Sequence, residues 1–272
     1  MNQPDHRTTS MCGHYTFGDN AVAAVRLQRL ADLFRPALEA FVAEHLPRPI
    51  GHLLDVGCGP GHTTRALAAV LTAARVTGLD HSMSFIEEAA RTPVPDVVYR
   101  VGDVTKSRDE VVPGLPSADV LYSRFLLTHL PHPGEALSTW ASYLTTGAVC
   151  LLQETAAMTA SHPALARYYE LVADLQRRHG QRLDIGRALP DLADSRVYNV
   201  RSSGERRFTL PGARMAELHR LNLMTWRHDP LAASFDPHEL ESLEAELAQI
   251  AEGRGVEAVV EYSMGELVVE RR

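Results

Sequence analysis

The sequence predicts an α/β protein in which helices cover both faces of a mostly parallel β-sheet. Short apolar runs, typical of buried strands, alternate with segments of helical periodicity over the first 154 residues. The first of these runs, His52–Val56, leads directly into a glycine-rich turn. Strands and helices that alternate at this pitch form right-handed βαβ units, so we expect the strands to lie side by side and parallel.

Each element of this alternation is predicted from its own pattern. Strands are expected where apolar residues run together, at residues 52–56, 75–79, 97–101, 118–122 and 148–153. Helices are expected between them at 62–71, 82–90 and 134–144, and ahead of the first strand over 21–46. Pro36 lies inside the earliest helical pattern and predicts a kink or two successive helices there.

Beyond Glu154 the rhythm changes to helices and longer-spaced strands. A helix is expected to open at Ser161 as N-cap, with Pro163 in its first turn, and two more are expected at 213–225 and 237–251. Extended segments are expected at 197–200, at 207–210 and within 256–269, where Met264-Gly265 separates two strand signals. The expected parts are an N-terminal helical cover (1–46), a ligand-binding core (47–154), a helical insertion over the substrate (155–195) and a C-terminal part with the last strands and further cover helices (196–272).

Composition argues against several classes of function. The formal net charge is −7 and basic residues occur only in short groups, which disfavours a nucleic-acid partner. Cys12, Cys58 and Cys150 form no CxxC pair, as expected for reduced thiols in a cytoplasmic protein. Neither a signal peptide nor an apolar run long enough to cross a membrane is evident, and no His and acidic residues have metal-ligand spacing. The sequence leaves open whether the protein forms a homo-oligomer.

The most informative segment is residues 53–63, LLDVGCGPGHT. A strand enters the glycine-rich loop 57–61 and a helix starts directly after it, so helix N-terminal amides point at whatever lies above the strand ends. A dinucleotide fingerprint requires G-x-G-x-x-G, and the position of its last glycine is occupied by His62. The spacing is instead that of the loop that binds S-adenosylmethionine, a ligand without a pyrophosphate.

Acidic residues follow the neighbouring strands. Asp80 ends the second strand, where its carboxylate can accept both ribose hydroxyls of a nucleoside. Asp103, between Gly102 and Val104 after the third strand, is placed to accept from an adenine amino group. Asp55 precedes the glycines and can orient their loop. Since the ends of parallel strands meet at one edge of a sheet, these features are expected to converge on one crevice.

The segments LLDVGCGPG, VTGLDHS, YRVGDV and LLTHLPHPGEAL, in this order, resemble the successive motifs of class I S-adenosylmethionine-dependent methyltransferases that act on small molecules. The resemblance covers residues 13–154 well and 155–272 in layout. It implies a Rossmann-like, doubly wound sheet of seven strands with an antiparallel last strand, a helical substrate cover, S-adenosyl-L-methionine as cofactor and a small-molecule acceptor.

The resemblance also implies which residues hold the cofactor. The loop glycines would contact its amino-acid part, Asp80 its ribose, and His81 and the residues around Asp103 its adenine. Positions 81 and 132, usually hydrophobic and Asp in the family, are both His here, and the usual Pro-Gly-Gly turn before the fifth strand is absent. The expected cofactor-binding residues are Tyr15, Arg26, Asp55, Gly57, Cys58, Gly59, Asp80, His81, Gly102, Asp103, Val104, Ser123 and Arg124.

Four residues are candidates for the chemical step. His129 and His132 follow the fourth strand, where a neutral imidazole can take a proton from the acceptor; the alternative is a loop histidine bonded to the backbone. Glu154, at the exit of the fifth strand, is a candidate base or anchor for a cationic substrate. Tyr15, in the expected cover, completes the set.

The acceptor and two other functional classes stay open at this point. Aromatic and Met residues in the expected cover favour an apolar or aromatic acceptor, while the methylated atom can be O, N or C; these residues are Tyr15, Phe17, Tyr168, Tyr169, Met215, Met224 and Trp226. The alternatives are a nicotinamide-dependent oxidoreductase and a non-catalytic module that binds S-adenosylmethionine.

Overall fold

A computed structural model of the chain describes Gly18 and residues 21–46, 50–71, 75–255 and 257–272. In that part of the chain seven strands form one sheet: β1 (His52–Val56), β2 (Arg75–Asp80), β3 (Val97–Val101), β4 (Ala118–Arg124), β5 (Leu144–Ala160), β6 (Tyr198–Pro211) and β7 (Val259–Arg271). The α-helices are α1 (Ala21–Leu33), α2 (Arg35–His45), α3 (His62–Val70), α4 (Met83–Ala90), α5 (Arg108–Val111), α6 (Pro133–Trp140), α7 (Pro163–Arg178), α8 (Leu189–Leu192), α9 (Gly212–Trp226) and α10 (Pro237–Ala251).

The strand order is β3-β2-β1-β4-β5-β7-β6. Strands β1 to β5 pair in parallel, and β7 is antiparallel to both of its neighbours. This arrangement confirms the expected Rossmann-like sheet with an antiparallel last strand. The strand order reverses between β1 and β4, and a ligand crevice is expected beyond the carboxyl ends of these strands.

Three apolar cores hold the molecule together. On one face of the sheet, Leu38 and Phe41 of α2 and Leu67 of α3 pack against strand residues. On the other face, Leu137 and Trp140 of α6 do the same. The third core lies among α7, α9, α10 and the far halves of β5, β6 and β7, and so joins the cover helices to the sheet.

The first helical segment is two helices, as Pro36 predicted. Helix α1 ends at Leu33 and α2 starts at Arg35, with the proline in the first turn of α2, where a missing N–H costs no hydrogen bond. Phe34, between the helices, is 2% exposed, and its ring lies 4.7 Å from the ring of Tyr262. The break therefore turns an apolar side chain into the core of the cover.

The last three strands are longer than the sequence patterns predicted. Strand β5 crosses the expected boundary at residue 154, β6 is continuous where two extended pieces were expected, and β7 runs through Met264-Gly265. Antiparallel pairing supplies backbone hydrogen bonds along β6 and β7, and along β5 from Val149 to Ala160. Gly265 is needed for close approach, because a Cβ there would lie 2.2 Å from the carbonyl oxygen of Gly186.

Two helix ends also differ from expectation. Helix α6 stops at Trp140 rather than near residue 144, since β5 already begins at Leu144. The N-cap of α7 is His162, whose Nδ1 accepts from the backbone N–H of Ala164, so the expectation of Ser161 as cap was wrong. The Ser161 hydroxyl accepts instead from the backbone N–H of Val259.

Among the described residues, no helix combines the length and the apolar character that crossing a bilayer requires. Within the same part of the chain, no three His, Cys, Asp or Glu side chains are grouped as a metal site would need.

Candidate active site

The loop after β1 turns sharply and is anchored to the end of β2. Gly57, Gly59 and Gly61 have φ values of +74°, +51° and +76°, a region that favours glycine. The backbone N–H groups of Gly57 and Cys58 both donate to the carbonyl oxygen of Leu79, at 2.8 and 3.1 Å. The loop therefore has a fixed shape with few side chains above the strand ends, and Gly61 caps α3.

Asp80 joins this loop to the start of α4. Its Oδ2 accepts from the Gly59 N–H at 2.8 Å, and its Oδ1 accepts from the Ser82 N–H at 2.9 Å. Ser82 in turn caps α4 through a hydrogen bond from the Phe85 N–H. The Asp80 side chain lines the pocket above the sheet, and each carboxylate oxygen can accept a further bond from a ligand.

Asp55 lies behind the loop instead of in the pocket wall. It is 2% exposed and accepts a hydrogen bond of 2.6 Å from the hydroxyl of Thr64 in α3. Burial raises the pKa of Asp55 to about 7, and the Thr64 hydrogen bond opposes that rise. Through Thr64, Asp55 is bonded to the first turn of α3, which directly follows the loop.

The turn after β3 contacts the pocket through only one of its three expected residues. A Cβ on Gly102 would lie 2.2 Å from the Val111 side chain, so this glycine serves close packing. The Asp103 carboxylate accepts from the backbone N–H and the hydroxyl of Thr105, at 2.9 and 2.6 Å, and does not line the pocket. Val104 does line it.

Two arginines line the pocket near the end of β4. Arg124 donates to the Phe34 carbonyl oxygen at 3.2 Å and to the Thr63 hydroxyl at 3.1 Å. Arg26 of α1 is 3% exposed and also lines the pocket. Ser123, by contrast, donates to the Val56 carbonyl oxygen and ties β4 to β1 outside the pocket wall.

Glu154 holds the turn that follows β4. Its Oε1 accepts from the backbone N–H groups of Leu126 and Leu127, at 2.8 and 2.7 Å. The carboxyl group is 1% exposed, and burial raises its pKa to about 8 against the effect of these bonds. Glu154 does not line the pocket, but Phe125, Leu126 and Thr128 of the turn do.

The two candidate histidines lie in different surroundings. His129 lines the pocket and its Nδ1 atom is buried; burial, then the nearby charge of Arg26, lowers its pKa to about 3. His132 is exposed at the start of α6 and is not part of the pocket wall. The structure therefore brings only one of them to the site. Tyr15 lies outside the described residues.

One continuous pocket connects the strand ends to a chamber under the cover helices. Its first part is formed by the glycine loop, Asp80, His81, Phe85 and Val104. The second part, the acceptor chamber, is bounded by α7 and α9 and by side chains of β5 and β7. The residues of this chamber are Thr155, Met158, Tyr168, Val172, Gln176, Leu183, Met215, Leu218, His219, Asn222 and Tyr262.

A family model described as a methyltransferase domain matches residues 23–202, more than half of the chain. The chain belongs to this methyltransferase family. The match confirms the resemblance to class I S-adenosylmethionine-dependent methyltransferases, and with it the expected cofactor. The alternative of a nicotinamide-dependent oxidoreductase is not supported.

The chain is 32% identical over 131 residues to the trans-aconitate 2-methyltransferase of Methylobacterium nodulans, with 48% of each chain covered. The same enzyme of an Escherichia coli strain is 32% identical over 123 residues, which cover 45% of this chain and 46% of the relative. The chain thus spans about half the length of the curated relatives it matches.

Two solved structures share its fold at lower identity. Phosphoethanolamine N-methyltransferase 2 of Haemonchus contortus, in complex with S-adenosyl-L-methionine, has a TM-score of 0.55 and 16% identity, covering 94% of this chain and 58% of that chain. The plantazolicin methyltransferase, in complex with S-adenosylhomocysteine, has a TM-score of 0.53 and 14% identity, covering 92% and 89%.

The first part of the pocket fits such a cofactor. The loop glycines carry no Cβ toward the ligand, Asp80 offers acceptor oxygens to ribose hydroxyls, and Phe85 and Val104 supply apolar surface for a base. No cluster of cations for a pyrophosphate faces the loop among the described lining residues, which include only Arg26 and Arg124 as Lys or Arg.

Sequence reasoning missed most of the acceptor chamber. Tyr168 and Met215 line it as expected of the cover, whereas Tyr169 and Trp226 are buried outside the pocket wall and Met224 is 40% exposed. The sequence places one of these missed residues on the same helix face as two others. Gln176 is four residues from Val172 and eight from Tyr168, so the three share one face of α7. A polar residue at such a position is otherwise typical of a solvated face.

Proposed function

We propose that this chain transfers the methyl group of S-adenosylmethionine to an O, N or C atom of a small-molecule acceptor. The observation that supports this most is the continuity of the pocket. It runs from the glycine loop and Asp80 at the strand ends into a chamber enclosed by α7 and α9. A cofactor and an acceptor placed in these two parts would meet at the turn that follows β4.

In this proposal the cofactor lies along the strand ends. Gly57, Cys58 and Gly59 contact its amino-acid part, and Arg26 and Arg124 pair with its carboxylate. Asp80 accepts from the ribose hydroxyls. The adenine lies between His81 and the apolar side chains of Phe85 and Val104.

Asp55 and Ser123 act in the proposal as positioning residues. Asp55 holds the start of α3 through Thr64, and Ser123 joins the ends of β1 and β4. Gly102 and Asp103 shape the turn that presents Val104. None of the four needs to touch the ligand to fix the geometry of the crevice.

S-adenosylmethionine supplies a methyl group on a positively charged sulfur, which leaves with the electron pair of the broken C–S bond. The protein then has to hold the acceptor in line, exclude water and manage any proton that the nucleophile loses. His129 lines the pocket with an uncharged imidazole, which can accept a hydrogen bond from the nucleophile and so orient it. Because burial holds its pKa at about 3, His129 does not keep the proton, and the proton that the nucleophile loses goes to water.

A small molecule is proposed as the acceptor because the chamber is closed on its far side by buried side chains of α7, α9 and β7. The net charge of −7 disfavours a nucleic acid. The relatives named above act, by their names, on trans-aconitate and phosphoethanolamine, both small. We also propose a cytoplasmic location, on the free and buried thiols of Cys58 and Cys150.

Calorimetry with S-adenosylhomocysteine and with NADH tests the cofactor half of the proposal. The wild type should bind the first and not the second. Asp80→Asn should weaken binding by roughly 10- to 100-fold, because two hydrogen bonds to a charged acceptor become bonds to a neutral one. An unchanged affinity for S-adenosylhomocysteine in a folded Asp80→Asn protein would show that Asp80 does not contact the ligand. Binding heat with NADH and none with S-adenosylhomocysteine would overturn the proposal.

Methyl transfer tests the catalytic half. Incubation with S-adenosylmethionine and a metabolite panel should yield S-adenosylhomocysteine and a product heavier by one methylene. Tight cofactor binding with no transfer to any acceptor in a cell extract would favour the non-catalytic module instead.

A further inference from the structure

The acceptor chamber contains polar side chains that its apolar walls do not explain. On α7, Tyr168, Val172 and Gln176 face the chamber at four-residue spacing. On α9, His219 and Asn222 face it one turn apart. Two packed helices thus direct several uncharged polar groups into one enclosed space.

Gln176 is the most unusual of these residues. It is 1% exposed, and within the described part of the chain neither its Oε1 nor its Nε2 has a hydrogen-bond partner. Buried amides in folded proteins are nearly always paired, because an unpaired one costs stability. The missing partner of the Gln176 amide therefore belongs to whatever fills the chamber.

The neighbouring polar groups are only partly paired. Asn222 Oδ1 and His219 Nδ1 are buried without a hydrogen bond from described residues, whereas His219 Nε2 lies 3.1 Å from the Tyr169 hydroxyl. The Tyr168 hydroxyl lies beside Asn222 and Trp226, whose hydrogen bonding opposes the rise in its pKa that burial causes. The rings of Tyr168 and His219 stack with centroids 4.3 Å apart, which holds both in place. The chamber thus presents a flat wall and several donors and acceptors at fixed positions.

The chamber offers little to a strongly charged ligand. Of its described lining residues on α7, α9, β5 and β7, none is Lys, Arg, Asp or Glu. Burial lowers the pKa of His219 to about 3 and raises that of Tyr168 to about 12, so both are neutral. The charge of Arg26 lies close enough to lower the pKa of Tyr168 slightly against the effect of burial. In the proposed function, however, Arg26 pairs with the carboxylate of the cofactor. A polycarboxylate in this chamber would leave buried charges unpaired.

We propose that the acceptor is an uncharged, flat molecule that pairs an acceptor and an adjacent donor with the Gln176 amide, as a lactam, a carboxamide or a hydroxylated heteroaromatic ring does. A side-chain amide presents a C=O beside an NH₂, and such groups complement both at once. This inference rests on the proposed function and adds the substrate class. It separates this chain from relatives named for trans-aconitate, a polycarboxylate.

The substitution Gln176→Leu tests the inference even before an acceptor is known. Removing an unpaired buried amide in favour of an apolar side chain should leave the melting temperature unchanged or raise it. The matched control is Gln153→Leu, since Gln153 is 0% exposed and fully bonded: it accepts from the Tyr122 hydroxyl at 2.7 Å and donates to Glu266 at 2.8 Å. That control should melt several degrees lower. A comparable loss in Gln176→Leu would show that the amide serves the fold and would overturn the inference.

Methyl transfer to 6-hydroxy-2-quinolone and salicylamide, compared with trans-aconitate, tests the substrate class. The wild type should methylate at least one neutral probe faster than trans-aconitate. Gln176→Leu should lower kcat/KM for that probe at least tenfold, mainly through KM, with the affinity for S-adenosylhomocysteine within twofold. Faster transfer to trans-aconitate would overturn the inference and leave the proposed function standing. Failure of the wild type to bind S-adenosylhomocysteine would overturn the proposed function, while the two melting temperatures would still decide the role of Gln176.

Discussion

At the scale of single residues, His129 and His132 are three positions apart in one loop, yet one is buried in the pocket wall and the other is exposed to solvent. The turn Leu127–His129 carries the first imidazole into the pocket wall, where burial and Arg26 lower its pKa to about 3. Leu130 is buried in the core behind it, and His132 emerges in solvent at the start of α6. Proximity to the acceptor is therefore possible for only one of the pair.

Replacing each histidine by Asn tests this difference directly. His129→Asn should lower kcat roughly tenfold, because it removes a hydrogen-bond acceptor that orients the nucleophile in the pocket. His132→Asn should leave kcat within twofold, since its side chain is exposed and outside the pocket. Turnover measured by mass spectrometry, with the affinity for S-adenosylhomocysteine as control, checks both. Equal effects of the two changes would contradict the assignment of His129.

At the scale of elements, a residue inside β5 controls the turn that follows β4. Glu154 accepts from two backbone N–H groups of that turn, which the sheet register places across from it. Phe125, next to these groups, has a φ of +56°, which an L-residue adopts only where its surroundings impose it. The carboxyl group therefore fixes a strained turn at the point where cofactor and acceptor would meet.

Glu154→Gln should show a pH-dependent gain in stability over the wild type. The pKa of Glu154 is about 8 in the folded protein and 4.5 in the unfolded chain. Its protonated carboxyl group therefore contributes fully to wild-type stability below pH 4.5, and this contribution is lost as the pH rises through 8. Gln keeps an oxygen for the two N–H groups and does not titrate. The free energies of unfolding of the two proteins should agree near pH 4.5 and differ by on the order of a few kcal/mol at pH 8.5.

Thermal unfolding of both proteins between pH 4.5 and 8.5 measures this divergence. Asp55, whose pKa burial also raises, to about 7, titrates in both proteins and cancels in the comparison. A constant difference at all pH values would mean that the backbone N–H groups keep Glu154 ionised in the folded protein.

At the scale of the whole molecule, the pocket lies between the apolar cores of the sheet and the apolar core of the cover helices. Its cofactor end is built on the sheet, whose two faces have their own apolar cores. Its acceptor end belongs to the third core, which joins α7, α9 and α10 to the far halves of the last strands. Helix α1 contributes Arg26, Leu27 and Leu30 along the pocket between these parts. A ligand in the pocket would therefore contact elements from both.

Binding should accordingly stabilise the whole fold. At 100 times its Kd, S-adenosylhomocysteine should add about 2.7 kcal/mol to the free energy of unfolding. For a chain of this size that corresponds to a rise in Tm of roughly 5 °C or more. Differential scanning calorimetry over a ligand series checks the dependence, with NADH as the control that should leave Tm unchanged. A Tm that does not move with concentration would contradict binding to the native state.

The sequence by itself determined the parts of this protein that depend on neighbours along the chain. Apolar runs predicted β1 to β4, Pro36 predicted the break between α1 and α2, and the glycine spacing with Asp80 predicted a crevice at the strand ends, because backbone conformation and strand ends are local properties. Long antiparallel pairing was not visible in this way, since the partners of β6 and β7 lie far apart in sequence.

Only the tertiary structure decided which side chains share the pocket. Asp103 and His132 have suitable positions in the sequence but bond locally or face solvent, while Gln176 and Asn222, on ordinary helical patterns, meet across the chamber. The physical reason is that the packing of α7 against α9 and the sheet decides which face of each helix points into the chamber. That packing joins residues more than forty positions apart, and no pattern within either helix specifies it.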